Sequence, residues 1–299
     1  MRANETGIAR GRNEITGPGK IINRSSAAIH KPIELYLDLL KRTLTRVAFL
    51  GEEVQDITPK DPMDRLIQRI ALRRGYRVVR PAWSSERMDG EDWPRTAETM
   101  IGLRRLDNIQ RCVEQVLADG VPGDLMETGV WRGGAVIFMR AVLAAYGVTD
   151  RYVWAADSFQ GFPAPNGEKY PADRGFDLHQ YPILSVGLGE VKANFARYGL
   201  LDDQVRFLAG WFADTLSAAP IDRLAVLRLD GDYYESTSQA LISLEPKVVP
   251  GGFVIIDDHA VQACADAVRD YRAQKGITDA IQEIDWTGIY WRKGGATTI

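Results

Sequence analysis

Short apolar runs alternate with helical patterns through the second half of the chain. The apolar runs predict strands at Asp124–Glu127, Tyr152–Asp157, Val205–Ala209, Leu224–Asp230 and Gly252–Asp257. Between them, apolar residues at helical spacing predict helices at Gly133–Tyr146, Glu190–Tyr198, Ser236–Leu244 and Val261–Tyr271, the last ended by Gly276. This alternation predicts an α/β fold in which a parallel sheet has helices on both faces. Two further runs, Ala280–Ile284 and Ile289–Trp291, predict a hairpin that adds an antiparallel edge strand.

The first third of the chain follows a different pattern. Residues 1–31 lack hydrophobic periodicity, so we predict a flexible tail there. Over residues 32–98 the pattern predicts a helical cap with one short helix near Met63–Arg73. An amphipathic helix at Thr99–Leu117 then begins the core, which we predict over 99–293. The helical stripe that opens the cap consists of Leu35, Leu39, Leu40, Leu44 and Val47. Residues 158–189 form a Pro- and Gly-rich segment whose length predicts a lid.

Composition narrows the classes of protein that remain. The 299 residues are 45% apolar and 26% charged, with a net charge of −3, which argues against a nucleic-acid binder. No apolar run reaches the length of a membrane-spanning helix, and the N-terminus lacks the apolar core of a signal peptide. Cys112 and Cys264 lie among helix-patterned apolar residues, so we expect them to be buried and reduced in a cytoplasmic protein.

Paired acids end two of the predicted strands. Asp230 and Asp232 follow one apolar run, and Asp257 and Asp258 follow the next. Residues at the carboxyl ends of parallel strands share one edge of the sheet, where acids repel one another unless a cation lies between them. The pattern therefore indicates a divalent metal site. The alternative is that Asp232 or Asp258 caps the helix that follows it.

Three further turns after predicted strands carry candidate ligand-binding residues. Glu127 opens a Gly-rich turn, Glu127–Gly134, where an acid can bind a cationic amino group; close packing alone also explains the glycines. Asp157 at the next strand end can bind ribose hydroxyls, or Asp157 or Ser158 can cap a helix. Gly210-Trp211-Phe212 offers aromatic rings for an adenine, unless the tryptophan belongs to the core.

These motifs together resemble class I S-adenosylmethionine-dependent methyltransferases, and more closely the macrocin O-methyltransferase (TylF/MycF-like) family of antibiotic biosynthesis. The resemblance runs from about Glu34 to Lys293. Its segments are Leu35–Leu40, Thr99–Gly102, Glu127–Gly134, Asp157–Pro163, Leu178–Tyr181, Tyr198–Leu200 and Gly210–Phe212. It implies a Rossmann-like fold with a seven-stranded, mostly parallel sheet behind an N-terminal helical cap.

The resemblance also implies the site residues. The cofactor S-adenosylmethionine would contact Thr99, Met100, Glu127, Thr128, Gly129, Val130, Trp131, Asp157, Ser158, Phe159, Gln160, Gly210, Trp211 and Phe212. The oxygens of Asp230, Asp257 and Asp258 would bind Mg²⁺, with Asp232 in a supporting role. His179 in the lid would take the proton from the acceptor hydroxyl, with Asp230 beside it, and His259 is the second candidate base. The implied acceptor is a deoxysugar hydroxyl of a glycosylated natural product, and the family suggests a homodimer or a higher homo-oligomer.

Two alternatives stay open at this stage. A catechol-type enzyme would use the same metal acids on a phenolic diol, and it would not need a strong base because a phenol ionises more readily. A cofactor-binding module without catalysis would serve as a dimerisation or regulatory partner, although the intact acids at the strand ends argue against it.

Overall fold

The computed structural model describes residues 24–49, 54–57, 59, 61–81 and 84–294. Most of the predicted tail lies outside these residues. Within them, none of the helices combines the length and apolar character that a bilayer-spanning segment needs.

A seven-stranded sheet forms the centre of the molecule, as the resemblance implied. The strands are β3 (Asp124–Thr128), β4 (Val153–Asp157), β5 (Val205–Ala209), β6 (Leu224–Leu229), β7 (Val248–Ile256), β8 (Gln282–Glu283) and β9 (Ile289–Arg292). Five parallel strands occupy one side in the order β5-β4-β3-β6-β7; β9 then pairs antiparallel with β7, and β8 pairs antiparallel with β9. The predicted hairpin therefore contributes two strands rather than one.

Helices cover both faces of this sheet. They are α4 (Leu103–Ala118), α5 (Gly134–Ala145), α6 (Leu188–Arg197), α7 (Phe212–Thr215), α8 (Tyr234–Leu244) and α9 (Gln262–Lys275). One buried apolar cluster joins α4 and α5 to the sheet, and a second joins α8 and α9 to its opposite face. Gly276 ends α9 in the left-handed conformation, as the sequence predicted.

The helix α4 begins later than its pattern suggested. It starts at Leu103, and Gly102 is its N-cap. A Cβ atom at Gly102 would lie 2.4 Å from the carbonyl oxygen of Met88, so the chain approaches the cap segment too closely there for any other residue. Residues 99–101 are consequently released from the helix and lie beside the ligand cavity described below.

In its described residues the cap contains three α-helices and a small sheet. The helices are α1 (Arg24–Leu44), α2 (Pro62–Arg73) and α3 (Ser84–Asp89), and the strands β1 (Val54–Asp56) and β2 (Val79–Pro81) pair antiparallel. The first helix therefore begins within the stretch predicted as a tail, which was taken to end at residue 31. A run of small and polar residues carries no apolar period, yet it continues a helix that packing stabilises further along.

The predicted apolar stripe of α1 was partly wrong. Leu37, Leu40 and Leu44 are buried against α4 and α5, whereas Leu35 and Leu39 are about three-fifths exposed. Spacings of three and four residues allow more than one stripe in this leucine-rich helix, and packing selects the stripe that contains Leu37.

Candidate active site

A cavity of about 570 Å³ opens at the carboxyl ends of the parallel strands. The turns that follow β3, β4, β5, β6 and β7 line it, together with residues that precede α4 and β9. Three of these turns hold a non-glycine residue in the left-handed region, namely Trp131, Phe159 and Asp232, with φ of 46°, 55° and 56°. Such backbone strain persists where the surrounding structure fixes it, and it concentrates at functional sites.

Glu127 at the end of β3 is buried at the floor of this cavity. One of its oxygens, Oε1, accepts a hydrogen bond from Arg228, while the other, Oε2, is buried with no hydrogen-bond partner among the described residues. Burial raises the pKa of Glu127 to about 8 despite the neighbouring guanidinium. A buried acceptor without a donor is unfavourable, so this oxygen fits a ligand that brings an N–H group.

The glycine after this strand also has a packing role. Gly129 has φ of +83°, and a Cβ atom there would lie 1.6 Å from the carbonyl oxygen of Asp230. Close packing between the ends of β3 and β6 therefore requires glycine at this position. The packing interpretation and the ligand interpretation hold together, because the same approach brings Glu127 and Asp230 to one cavity.

Asp157 joins two of the turns that line the cavity. Its carboxylate accepts a 2.7 Å hydrogen bond from the backbone N–H of Val130 and another of 2.7 Å from that of Phe159. Burial raises the pKa of Asp157, and these backbone donors oppose the shift. No helix begins directly after Asp157 or Ser158, so the helix-cap alternative was wrong; the carboxylate stabilises a turn instead and still lines the cavity.

Most of the predicted cofactor residues line the cavity. Those that do are Thr99, Met100, Glu127, Gly129, Val130, Trp131, Asp157, Ser158, Trp211 and Phe212. Trp211 is 37% exposed, so it is not a core residue, as one alternative had it. The four that do not line the cavity are Thr128, Phe159, Gln160 and Gly210. Phe159 packs against Phe207, and Gln160 points to solvent.

The three predicted metal ligands lie together. Asp230, Asp257 and Asp258 each place an oxygen within 4.8 Å of the others. Asp257 is nevertheless already paired, because Arg228 donates to its Oδ1 and Arg105 donates to its Oδ2 at 2.5 Å. Although burial alone would raise it, the two guanidinium groups hold the pKa of Asp257 below its ordinary value. Asp230 shares Arg228 at 2.8 Å.

Sequence reasoning missed these two arginines. Arg228 is 1% exposed at the penultimate position of β6, and Arg105 is 5% exposed on α4, where it also contacts Asp285 at 3.0 Å. A signal for Arg228 was present, because an arginine inside an apolar strand must find acidic partners when it is buried. Arg105 carried no such signal, since its partners lie more than 150 residues away in sequence.

The arginines do not neutralise the acids fully. Six carboxylates share two guanidinium groups: Glu127, Asp230, Asp232, Asp257, Asp258 and Asp285 surround Arg105 and Arg228. In the described part of the chain no salt bridge reaches Asp232 or Asp258. Burial and the neighbouring acids raise the pKa of Asp232 to about 8 and that of Asp258 well above its usual range. This surplus of hard oxygen donors fits a divalent cation such as Mg²⁺.

Neither acid caps a helix, contrary to the alternative that the sequence left open. The N-cap of α8 is Tyr233 and that of α9 is Val261. The free N–H groups of α8 are instead satisfied by Asp173 in the segment 158–189, which accepts from Tyr234 N at 2.6 Å and from Glu235 N at 3.0 Å. A residue 61 positions away thus takes the role that sequence proximity gave to Asp232.

This contact predicts a measurable contribution of Asp173 to stability. Replacing Asp173 with Ala removes two hydrogen bonds to a helix N-terminus, so we expect a loss of about 1–2 kcal/mol. The corresponding fall in Tm is roughly 2–6 °C, measured by circular dichroism. Asp177→Ala is the matched control, because Asp177 lies in the same segment with its side chain 49% exposed. Equal Tm values for the two variants would contradict the assignment.

The segment 158–189 packs along the cavity at several points. Trp131 Nε1 donates to the carbonyl of Ile183 at 2.7 Å, and the N–H of Leu178 donates to the hydroxyl of Tyr233 at 3.0 Å. Leu178 and Leu184 line the cavity. The segment therefore packs beside the cavity, and its role as a lid stays a prediction.

Neither candidate histidine lines the cavity. His179 lies beside Leu178 with its side chain 32% exposed, and its Nδ1 is 4.0 Å from Asp177 Oδ1. His259 is half-buried, and its backbone N–H donates to the carbonyl of Thr287. Asp232, in contrast, lines the cavity.

The order of these groups along the sheet defines the class of protein. An aromatic pair follows β5, acids end β4 and β3, and an acid cluster follows β6 and β7, all around one cavity at the strand ends. This is a class I methyltransferase, with a Rossmann-like α/β fold.

Comparison with known proteins gives the family. Residues 33–293 match the model of the macrocin O-methyltransferase (TylF) family. The 8-demethyl-8-(2,3-dimethoxy-alpha-L-rhamnosyl)-tetracenomycin-C 4'-O-methyltransferase of Streptomyces olivaceus is 54% identical over 265 residues, covering 88% of this chain and 94% of that protein. The mycinamicin III 3''-O-methyltransferase of Micromonospora griseorubida is 51% identical over 265 residues, covering 87% and 97%. The solved structure of the O-methyltransferase NovP is 46% identical, with a TM-score of 0.77, and the match covers 88% of this chain and 100% of NovP.

The chain belongs to the macrocin O-methyltransferase family. It is an S-adenosylmethionine-dependent O-methyltransferase, and the resemblance found in the sequence is confirmed.

Proposed function

We propose that this enzyme methylates a sugar hydroxyl of a glycosylated natural product, with Mg²⁺ at its acid cluster. The observation that carries the proposal is one cavity with two complementary ends. Within the described residues, one buried oxygen of Glu127 at one end has no hydrogen-bond donor, and at the other end Asp232 and Asp258 have no salt bridge. The related proteins from Streptomyces olivaceus and Micromonospora griseorubida, which are named for methylation of a glycoside, support the choice of a sugar.

The cofactor end follows the order of the strands. Glu127 Oε2 would accept a hydrogen bond from the amino group of the methionine moiety, and Asp157 would bind the ribose. Trp211 and Phe212 would contact the adenine, because they follow the next strand along the sheet. When bound, S-adenosylmethionine supplies an electrophilic methyl group on a sulfonium centre. The protein's share of the reaction is to hold that centre close to the acceptor oxygen.

The acceptor end is built by the acids. Asp230, Asp257 and Asp258 are the residues that would hold Mg²⁺, with Arg105 and Arg228 fixing the orientation of Asp257. When bound, the ion supplies Lewis acidity that lowers the pKa of a neighbouring hydroxyl. The two arginines keep Asp257 ionised in a buried position.

We assign the proton acceptor to Asp232 rather than to His179. Asp232 lines the cavity next to Asp230 and has no salt bridge within the described residues. His179 does not line the cavity, although its neighbour Leu178 does. The Asp232 carboxylate would take the proton of the acceptor hydroxyl as that oxygen forms its bond to the methyl carbon and the bond from this carbon to sulfur breaks.

We also propose that the enzyme is a homodimer or a higher homo-oligomer in the cytoplasm. Two exposed apolar surfaces support its association. One is formed by Leu35 and Leu39 on α1, and the other by Met63, Leu66 and Ile70 on α2. Exposed apolar surface of this extent on two helices is typical of protein contacts.

The proposed function is tested with acceptors of different chemistry. The purified enzyme is incubated with S-adenosylmethionine and one of three compounds. These are the rhamnosylated tetracenomycin for which the Streptomyces olivaceus relative is named, mycinamicin III, and caffeic acid. We expect mass spectrometry to find one added methyl group on the sugar of a glycoside and none on the catechol. Methylation of caffeic acid alone would support the catechol-type alternative and overturn the proposal.

A further inference from the structure

Two tryptophans stand half-exposed at the mouth of the cavity. Trp93 is 44% exposed and Trp286 is 54% exposed, and both line the cavity. Large aromatic side chains usually bury most of their surface, so two such rings at one opening are candidates for ligand contact. We refer to Trp93 and Trp286 as the rim pair.

The structure holds both rings in place. The indole N–H of Trp286 donates to the carbonyl of Asp89 at 3.1 Å, and the guanidinium of Arg105 lies 5.7 Å from its ring centroid. Trp93, four residues after Asp89, packs edge to face on Tyr181 of the lid at 5.1 Å between centroids. Rings that are already ordered lose little conformational freedom when a ligand covers them.

Sheet order places the rim pair on the acceptor side. Along the sheet the cavity runs from Trp211 after β5, past Glu127 at β3, to Asp258 after β7. Trp286 precedes β9, the next strand beyond β7. Trp286 therefore lies beyond the acids, on the side away from the cofactor, and its hydrogen bond to Asp89 brings the segment that carries Trp93 to the same side. An acceptor whose sugar hydroxyl reaches the acids extends its remaining part over these rings.

The charge of the cavity indicates the chemical character of the part of the acceptor that lies beyond its sugar. Among the described lining residues, ten carry carboxylates and one carries a guanidinium. That guanidinium, of Arg105, is already paired with Asp257 and Asp285. A nucleoside diphosphate linked to the sugar would find no unpaired guanidinium or ammonium group among the described lining residues, whereas a neutral apolar group needs none.

We propose that the rim pair is a binding subsite for the apolar ring system that carries the sugar. This inference rests on the proposed function and adds to it which part of the acceptor the rim pair contacts. Methylation consequently follows the reaction that joins sugar to aglycone, since the aglycone contributes to binding.

The test compares whole glycosides with a truncated one. Wild-type enzyme with S-adenosylhomocysteine is titrated calorimetrically with three glycosides: the rhamnosylated tetracenomycin, mycinamicin III and demethyldecarbamoylnovobiocin. Methyl α-L-rhamnoside is the aglycone-free probe, and thymidine diphosphate rhamnose is the charged probe. We expect at least one glycoside to bind, and to bind more tightly than either probe.

Substitutions then locate the contact. Trp286→Ala and Trp93→Ala should each weaken binding of that glycoside about tenfold, and raise its KM with kcat unchanged, while the affinity for methyl α-L-rhamnoside stays the same. Trp286→Phe should retain most of the affinity. Tyr152→Ala is the control, because Tyr152 is 41% exposed and precedes β4 at the opposite end of the strands.

Each outcome decides a separate question. Equal affinities of wild type and rim variants for the glycoside would overturn the subsite and leave the proposed function intact. Tighter binding of thymidine diphosphate rhamnose than of the glycosides would also overturn it. If none of the three glycosides binds at millimolar concentration, the subsite is wrong; methyl transfer to the truncated rhamnoside then separates this result from a failure of the proposed function.

Discussion

Chelation with EDTA is expected to abolish methyl transfer, and added Mg²⁺ to restore it. The Asp258→Asn variant should lose about a thousandfold or more in kcat/KM, since a Lewis-acidic ion supplies several kcal/mol of transition-state stabilisation. Asp258 is the ligand of choice for this test because no salt bridge neutralises it in the described residues, so its charge is available to a cation. Activity is followed by mass spectrometry, and metal binding by calorimetric titration with MgCl₂.

Asp285→Asn provides the matched control for this prediction. Asp285 is an equally buried carboxylate that contacts Arg105 at 3.0 Å, but it does not line the cavity. The Asp285→Asn substitution should change the stability of the protein more than its affinity for Mg²⁺. Asp257→Asn would be less informative, because it also leaves two buried guanidinium groups without their partner. Transfer that is insensitive to EDTA, with normal activity of Asp258→Asn, would exclude a metal role.

Local patterns predicted the sheet well and the helix starts less well. Strand β5 was predicted at both ends, and the hairpin before the C-terminus was found where its apolar runs lie. Strands in a buried parallel sheet are continuous apolar runs, which a sequence displays directly. The start of α4 at Leu103 depended instead on the contact between Gly102 and Met88. That contact belongs to tertiary structure and has no local signature.

The residues of the candidate site also differ in how far local sequence patterns predict them. Residues at strand ends, such as Glu127, Asp230 and Asp258, follow from the strand pattern, because the fold must bring them to one edge. Arg105 and Asp173 reach that edge from distant segments, and so no spacing rule could have found them. The prediction for His179 depended on the path of a long loop, which the sequence does not determine.

Asp232→Asn is expected to lower kcat by roughly 10²–10⁴-fold, the range that a single proton acceptor contributes. Asn keeps the size of the side chain and removes its ability to take a proton. His179→Ala should lower kcat less than about tenfold, because its imidazole lies outside the cavity lining and acts only through the lid. Steady-state rates with a saturating glycoside measure both effects.

Binding measurements separate loss of chemistry from loss of the site. Calorimetric titration with S-adenosylhomocysteine should give the same affinity for Asp232→Asn as for wild type, since Asp232 lies on the acceptor side of Glu127. The positive φ of Asp232, 56°, suits Asn as well as Asp, so the backbone of the turn is retained. A larger fall in kcat for His179→Ala than for Asp232→Asn would move the proton acceptor to the lid. In that case the lid must shift during turnover to bring the imidazole to the acceptor, because its present position does not reach the cavity.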